Sequence, residues 1–266
     1  MSVAQGGYAA LDGGRLYYEV VGAGPPLALV HGFTLDRRMW QDQLPALAAG
    51  RRVITVDLRG FGLSDPPAGP YSSVEDLKAL LDYLEAGPAA ILGLSMGGGI
   101  ATSFALAYPA ATTALILADS NLWGYPFSPE FAQSFGAVTT LARTQGLAAA
   151  RERWLADALF APALEQPAVA ATLRALVHDY SGWHWLHADP ERGMEPQPIT
   201  ALRTIRAPTL VIAGERDIPD FLRISAILAE SIPGARSVTL PGVGHMSNME
   251  APAAFNAAVR DFLTAL

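Results

Sequence analysis

The sequence predicts an α/β fold, in which a mostly parallel, eight-stranded sheet is flanked by helices. Two observations carry this prediction. Short apolar runs alternate along the chain with segments that have the apolar periodicity of helices. Several of these runs are almost continuously apolar, as is typical of parallel strands buried on both faces.

The first half of the chain supplies four strands and a helix. Residues 8–21 read as a hairpin with Asp-Gly-Gly at 12–14 as its turn, and residues 27–30 and 53–56 read as short buried strands. Residues 73–76, Ser-Val-Glu-Asp, resemble a capping box with Asp in its fourth position, so we expect a helix to begin there.

The remaining strands are predicted at residues 90–94, 114–118, 209–213 and 237–240, with helices between them. A last helix follows, with Pro252 in its first turn and Phe255 and Val259 on its apolar face. In an open sheet of this kind, ligands bind at the carboxyl ends of the strands, so we expect functional residues there.

Residues 122–198 interrupt the alternation, because they carry no clear buried strand and read as several helices. We therefore divide the chain into a core domain, residues 1–121 and 199–266, and a helical cap inserted at 122–198. Four of the five tryptophans fall in this insertion, and we expect them to line an apolar substrate pocket, the alternative being that they only pack the cap onto the core: Trp123, Trp154, Trp183 and Trp185.

A Gly-Leu-Ser-Met-Gly pentapeptide at residues 93–97 lies between a predicted strand and a predicted helix. This G-x-S-x-G pattern is typical of a nucleophile elbow, a tight turn that exposes a serine hydroxyl at the top of a sheet. Small residues must lie two positions before and after the serine, since a side chain there would collide with neighbouring backbone. Ser95 is therefore the candidate nucleophile.

In this scaffold the acid and then the base follow the nucleophile along the chain. Among five histidines, only His245 lies late in the chain, in a glycine-containing loop between a strand and a helix. Asp217 lies just past an apolar strand and is the favoured acid, since a buried aspartate can fix the tautomer of the histidine. Asp119 also follows a strand and remains an alternative acid.

The hydrogen-bond donors for an oxyanion are predicted to be two backbone N–H groups. One belongs to Met96, directly after the nucleophile, and the other to Phe33, in an early loop that also contains His31 and Gly32. His31 is interpreted as a brace for this loop.

Taken together, five motifs resemble the α/β-hydrolase superfamily: His-Gly-Phe at 31–33, the segment 57–65, residues 93–98, Gly-Glu-Arg-Asp at 214–217 and Gly-His at 244–245. The resemblance runs from about residue 8 to the C-terminus and is weakest within the insertion. It implies an α/β-hydrolase fold with a Ser-His-Asp triad and a structural role for the segment 57–65, in which Arg59 and Asp65 brace neighbouring loops.

The resemblance is strongest to small carboxylesterases and 3-oxoadipate enol-lactonase-like members. It implies a serine hydrolase that cleaves a small carboxylic ester or lactone through an acyl-enzyme and needs no cofactor. Cofactor-free haloperoxidases (perhydrolases) share the His-Gly-Phe and Ser-Met-Gly-Gly motifs and are the first alternative. A non-catalytic ligand receptor built on the same fold is the second.

Composition argues against several other classes. The net charge is −7 and no Lys/Arg block is present, so nucleic acid and anionic membranes are not expected as partners. The absence of cysteine excludes disulfides and thiolate metal sites, and fits a reducing compartment. His184 and His187 have no suitably spaced carboxylate, so no metal is expected.

Residues 1–7 lack the charged start and apolar core of a signal peptide, and no uncharged apolar stretch approaches the roughly 20 residues that span a bilayer. We therefore expect a cytoplasmic protein. The sequence does not distinguish a monomer from a homodimer.

Overall fold

A single mixed sheet forms the centre of the protein, whose computed structural model describes residues 5–266. Eight strands in this range pair in the order β1-β2-β4-β3-β5-β6-β7-β8. The strands are β1 (Gln5–Leu11), β2 (Gly14–Val21), β3 (Pro26–Val30), β4 (Arg52–Val56), β5 (Ala89–Leu94), β6 (Thr112–Ala118), β7 (Thr209–Gly214) and β8 (Arg236–Leu240).

Strand β2 runs antiparallel to both of its neighbours, β1 and β4. All pairings among β3 to β8 are parallel. The carboxyl ends of β3 to β8 consequently meet at one edge of the sheet. The predicted α/β class and the mostly parallel eight-stranded sheet are confirmed.

Helices lie between the parallel strands, and the last two follow β8. They are α1 (Leu44–Leu47), α2 (Ser73–Tyr83), α3 (Met96–Ala107), α4 (Pro129–Gln145), α5 (Leu147–Leu155), α6 (Ala161–Leu164), α7 (Pro167–Asp179), α8 (Trp183–Leu186), α9 (Pro219–Ser231), α10 (Ser247–Glu250) and α11 (Pro252–Thr264). Helix α3 packs on β5 and β6, and α9 packs on β7. No helix within residues 5–266 is both long enough and apolar enough to cross a bilayer.

The central strands are buried along their whole length. Every residue of β5 and β7 is buried, whereas β1 at the edge of the sheet is largely open to solvent. The near-continuous apolar composition of the central strands follows from this double-sided burial, because each of their faces packs against helices.

Helix α2 begins at Ser73, but its cap differs from the sequence prediction. The N-cap is Ser72, whose hydroxyl accepts a hydrogen bond from the backbone N–H of Glu75 at 3.4 Å. The capping residue is therefore one position earlier than predicted, and Ser73 is the first residue inside the helix.

The segment between β6 and β7 is helical, with α4 to α8 lying inside residues 122–198. It is tied to the core by polar contacts as well as by apolar packing. Arg38 of the core pairs with Asp179 at the end of α7 at 2.8 Å, and the indole N–H of Trp154 on α5 donates to Thr34 at 2.8 Å.

The loop after β4 is held by two ion pairs. The buried guanidinium of Arg59 binds Asp76 of α2 at 2.5 and 2.8 Å, and Asp65 binds Arg15 of β2 at 3.0 Å. These contacts have the geometry of the bracing role inferred from the sequence, since each joins the loop to a different neighbouring element.

Candidate active site

Ser95 lies in a strained turn between β5 and α3. Its φ is 56° and its ψ is −120°, a conformation that is uncommon for residues other than glycine. A Cβ built on Gly93 would lie 2.0 Å from the carbonyl oxygen of Gly97, and one built on Gly97 would lie 2.1 Å from that of Val30. Only glycine fits at either position, as the pentapeptide predicts.

Backbone hydrogen bonds fix this turn to the sheet. The N–H of Ser95 donates to Ala118 of β6 at 3.0 Å, and its carbonyl accepts from Asn121 at 2.8 Å and from Gly98 at 2.9 Å. With its backbone held on both sides, the Ser95 side chain projects into a cavity above the sheet edge.

His245 lies in the loop after β8 and is paired with Asp217, which follows β7. The Nδ1 atom of His245 is 2.8 Å from Oδ2 of Asp217, and only 2% and 1% of the two side chains are exposed. The other carboxylate oxygen of Asp217 accepts the N–H of Ile218 at 2.7 Å. This arrangement places the proton on Nδ1 and leaves Nε2 as an acceptor.

The Nε2 atom of His245 is buried and has no hydrogen-bond partner among residues 5–266. His245 and Ser95 line the same cavity. No hydrogen bond joins them in this structure, and such catalytic bonds often tighten only when substrate binds.

Charges around His245 raise the pKa of its imidazole by more than burial lowers it. Burial alone would lower the pKa of the imidazole, but the charge of Asp217 and its hydrogen bond, together with the charges of Asp119 and Glu250, raise that pKa above its ordinary value. The imidazolium that forms when His245 takes a proton is thereby stabilised.

Glu250 positions the histidine loop and was not singled out from the sequence. Its carboxylate accepts the N–H of Gly244 at 2.7 Å and that of Met246 at 3.0 Å, one on each side of His245. The only sequence signal for this role is a carboxylate five residues after the histidine. It lies at the end of the short helix α10.

Asp119 lies behind the pair and makes no hydrogen bond to His245. One of its oxygens accepts the N–H of Gly214 at 2.7 Å, and the other bonds the hydroxyl of Ser247. Complete burial, and next the charge of Asp217, raise its pKa to about 8. The geometry therefore pairs His245 with Asp217 and gives Asp119 bonds that hold β7 and α10 together.

Met96 follows Ser95 directly in the chain, and Phe33 follows Gly32 in a loop that passes close to Ser95. A Cβ built on Gly32 would lie only 3.3 Å from Cβ of Ser95, which shows how closely this loop approaches the elbow. Among the backbone hydrogen bonds of turns, loops and caps within residues 5–266, none is donated by either N–H group. Two free donors next to a serine hydroxyl can bind an oxyanion.

His31 braces the loop that carries Phe33. Its Nε2 accepts the N–H of Leu58 at 3.0 Å, and its Nδ1 lies 2.8 Å from the carbonyl oxygen of Gly32. Complete burial lowers the pKa of His31, so the ring stays neutral and keeps both bonds. This geometry agrees with the interpretation of His31 as a brace.

The cavity above Ser95 has a volume of about 460 Å³, within the usual range for small-molecule sites. Residues of the core and of the 122–198 segment line it together. Its wall near His245 is aromatic: Phe221 contacts the His245 ring at 4.3 Å between centroids, and Phe127 and Phe131 pack on Phe221.

Two of the four tryptophans expected in the pocket line this cavity, namely Trp123 and Trp154. The expectation is corrected for the other two, which do not line it. Trp185 is completely buried against Tyr180, and Trp183 stacks on His187. The short helix α8 turns both rings away from the cavity and presents His184 to it instead.

A polar wall of the cavity was not found from the sequence. It is formed by Tyr71 and Ser73 at the start of α2, and by His184, Asp189 and Glu191 from the end of the helical segment. These residues follow no periodic pattern, because they come from separate segments that meet at an isolated bridge between Tyr71 and Glu191 and through the backbone hydrogen bonds around it.

Three solved structures are similar to the chain over almost its whole length. A hydrolase from Pseudomonas aeruginosa is 35% identical with a TM-score of 0.84, over 97% of this chain and 98% of that one. An esterase from Thermogutta terrifontis is 30% identical with a TM-score of 0.83, over 98% and 99%. An enol-lactonase from Burkholderia xenovorans is 30% identical with a TM-score of 0.84, over 97% and 100%.

A sequence model of the Alpha/beta hydrolase family matches residues 27–258, which is most of the chain and includes the elbow, the two strand-end aspartates and the histidine loop. The sheet order, the strained serine turn and these similarities agree. The chain belongs to the α/β-hydrolase family.

Proposed function

We propose that the protein is a serine hydrolase that cleaves a small carboxylic ester or lactone through an acyl-enzyme intermediate. The observation that carries this proposal is the environment of His245. Its ring is held by Asp217, its Nε2 has no partner among the described residues, and it shares an apolar cavity with Ser95.

In the acylation step, His245 Nε2 takes the proton from Ser95 as Oγ attacks the substrate carbonyl carbon. The negative charge that develops on the carbonyl oxygen is bound by the N–H groups of Phe33 and Met96. His245 then gives its proton to the leaving oxygen as the carbon–oxygen bond breaks. Asp217 stabilises the imidazolium between the two transfers.

In the deacylation step, water takes the place of the leaving alcohol. His245 Nε2 accepts a proton from this water as its oxygen attacks the acyl carbon, and then returns the proton to Ser95 Oγ as the ester bond to the enzyme breaks. The acid leaves and the serine is regenerated. For a lactone, the leaving hydroxyl stays attached to the product.

The helical segment 122–198 acts in this proposal as a cap that shapes the substrate pocket. Its side chains Trp154, Phe131 and Phe135 line the same cavity as Ser95. A mainly apolar lining favours an apolar acyl or alcohol group and limits the access of bulk water to the reacting carbonyl.

Covalent labelling of the nucleophile tests this function directly. Treatment with a p-nitrophenyl alkylphosphonate should add one phosphonyl group, located on Ser95 by peptide mass analysis, and should abolish hydrolysis of p-nitrophenyl butanoate in proportion to labelling. Labelling elsewhere with activity retained would exclude the mechanism. A protein that binds esters but releases no product would support the receptor alternative.

Perhydrolysis is a second candidate, favoured by the His-Gly-Phe motif at 31–33 and the Ser-Met-Gly-Gly motif at 95–98, which resemble those of cofactor-free haloperoxidases. Hydrogen peroxide would replace water in deacylation and give a peracid. Partitioning of one acyl-enzyme between acid and peracid, measured at increasing peroxide, distinguishes the two: an esterase gives mainly acid, and a perhydrolase mainly peracid.

A further inference from the structure

We propose that the polar wall of the cavity makes this site select esters that carry a cationic group, a quaternary or protonated amine, over esters that carry a carboxylate. The selecting residues are Asp189 and Glu191. This inference rests on the proposed function, because it concerns the substrate class of the same cavity.

The cavity lining contains carboxylates and no lysine or arginine. His184 also lines it, but burial lowers the pKa of that imidazole to about 4, so the ring is neutral near pH 7. The remaining imidazole, His245, is neutral whenever it serves as the base. In its working state the cavity lining therefore holds two carboxyl groups and no cationic side chain.

Two arginines adjoin the wall, one over the Tyr71 ring and one directly after Glu191 in the chain, and both are bound to other carboxylates. Arg59 is paired with Asp76, and Arg192 turns outward to Glu75 at 2.7 Å. Neither of them lines the cavity. No lysine or arginine on the cavity lining therefore pairs with Asp189 or Glu191.

Backbone contacts hold the two carboxylates in place. Glu191 accepts the N–H of Ser73 at 3.1 Å, and the next residue, Arg192, donates its N–H to the carbonyl of Tyr71 at 2.7 Å. Asp189 accepts the N–H of Glu191 at 3.2 Å, and its other oxygen lies 3.9 Å from Nε2 of His184. Such a wall needs little reorganisation to receive a ligand.

The two carboxylates also act on each other. Burial raises the pKa of Glu191 above its ordinary value, and the charges of Asp189 and Asp76 raise it further, against the lowering effect of the bonds from Ser73. A cation placed between Asp189 and Glu191 reverses this repulsion, whereas a carboxylate adds to it.

Two independent observations mark this cavity as a ligand site. The side chain of His245 is 98% buried, yet its Nε2 is unpaired and lines the cavity. An aromatic ring also lies beside the acidic wall, since Trp123 lines the cavity and borders Glu191 along a neighbouring groove. Aromatic faces combined with carboxylates suit a quaternary ammonium group.

Pairs of isosteric esters test the proposal. On the acyl side, p-nitrophenyl 4-(trimethylammonio)butanoate is compared with p-nitrophenyl 5,5-dimethylhexanoate, its neutral carbon isostere, and with the anionic p-nitrophenyl monoester of adipic acid. On the alcohol side, butyrylthiocholine is compared with S-(3,3-dimethylbutyl) thiobutyrate. We expect kcat/KM for the cation to exceed that of its isostere by about tenfold in at least one pair, and the anion to be the poorest substrate.

The double variant Asp189→Asn/Glu191→Gln should bring the cation-to-isostere ratio to about one, while its amide oxygens can still accept the N–H groups of Glu191 and Ser73. The matched control is Glu230→Gln/Asp261→Asn, which removes the same two charges at exposed positions away from the cavity and should keep the wild-type ratio. Circular dichroism and thermal melting show whether each variant is folded.

Binding to Ser95→Ala separates this inference from the proposed function. Quenching of tryptophan fluorescence gives Kd for the intact cationic and neutral esters, and the cation should bind about tenfold more tightly. Equal Kd values together with equal kcat/KM values would overturn the proposal, as would a ratio that survives the double variant. If wild type hydrolyses none of the esters, the proposed function fails, and the Kd ratio still decides the charge selectivity.

Discussion

The indole N–H of Trp154 donates to the hydroxyl oxygen of Thr34 over 2.8 Å, and both side chains are buried. Thr34 has a positive φ of 63°, and its hydroxyl in turn donates to the carbonyl of Phe33 at 2.6 Å. A residue of the helical segment thereby fixes the loop that carries one proposed oxyanion donor. The segment contributes to the geometry of the reacting centre as well as to the shape of the pocket.

Trp154→Phe should lower kcat for p-nitrophenyl butanoate by roughly fivefold, because a buried hydrogen bond worth about 1 kcal/mol no longer holds the Phe33 loop. The matched control is Trp183→Phe, which alters a ring stacked on His187 outside the cavity. Steady-state kinetics of the two variants checks this. Equal kcat values would show that the Trp154 contact does not position the donor.

Asp217→Asn should lower kcat by about 10⁴, since the amide no longer holds the Nδ1–H tautomer of His245 or stabilises its imidazolium. Asp119→Asn should have a much smaller effect on kcat and act mainly on stability, because the bonds of Asp119 go to Gly214 and Ser247. Kinetics and thermal melting of both variants decide between them. A larger loss of kcat in Asp119→Asn would identify Asp119 as the acid.

The pH profile of kcat/KM should rise towards alkaline pH, with the midpoint of its acid limb above 6.5. The base must be neutral, and the charges of Asp217 and its neighbours raise the pKa of His245, so protonated and inactive enzyme persists to a higher pH. In Asp217→Asn the midpoint should fall, because the main charge that raises this pKa is gone. Initial rates of both proteins, followed at the isosbestic wavelength of p-nitrophenol, give the two midpoints. An unchanged midpoint in Asp217→Asn would contradict the assignment.

Alanine substitutions of two glycines should have opposite effects on stability. Gly97→Ala would place a Cβ 2.1 Å from the Val30 carbonyl, so it should lower the free energy of unfolding by several kcal/mol or prevent folding. Gly136, in the exposed part of α4, has no atom within 4 Å of a built Cβ, and Gly136→Ala should raise the free energy of unfolding by about 0.5–1 kcal/mol. Denaturant titration compares them. A stable Gly97→Ala protein would contradict the close packing at the elbow.

The sheet and the candidate site were predictable because local sequence determines both. The apolar runs that became β5 and β7 are buried on both faces, and the glycines around Ser95 are required by contacts of about 2 Å. The order of Ser95, Asp217 and His245 along the chain follows from the scaffold, in which each lies just past the carboxyl end of a parallel strand.

The lining of the pocket could not be predicted in the same way, because it depends on how loops and short helices pack. Trp183 and Trp185 belong to a four-residue helix whose orientation leaves no periodic signal, and Glu191 meets Tyr71 through a single bridge. Glu250 was missed for a similar reason. Its role is visible only once the histidine loop folds back over α10 and brings two backbone N–H groups to its carboxylate.

The central claim is that Ser95 is the nucleophile of a carboxylic ester hydrolase. The most direct test is hydrolysis of p-nitrophenyl esters from acetate to decanoate by wild type and by Ser95→Ala, with both proteins shown to be folded by thermal melting. The account predicts turnover by wild type with an optimum at a chain length that the cavity of about 460 Å³ can hold, and essentially none by the variant. Turnover by Ser95→Ala above about a tenth of the wild-type rate would contradict it.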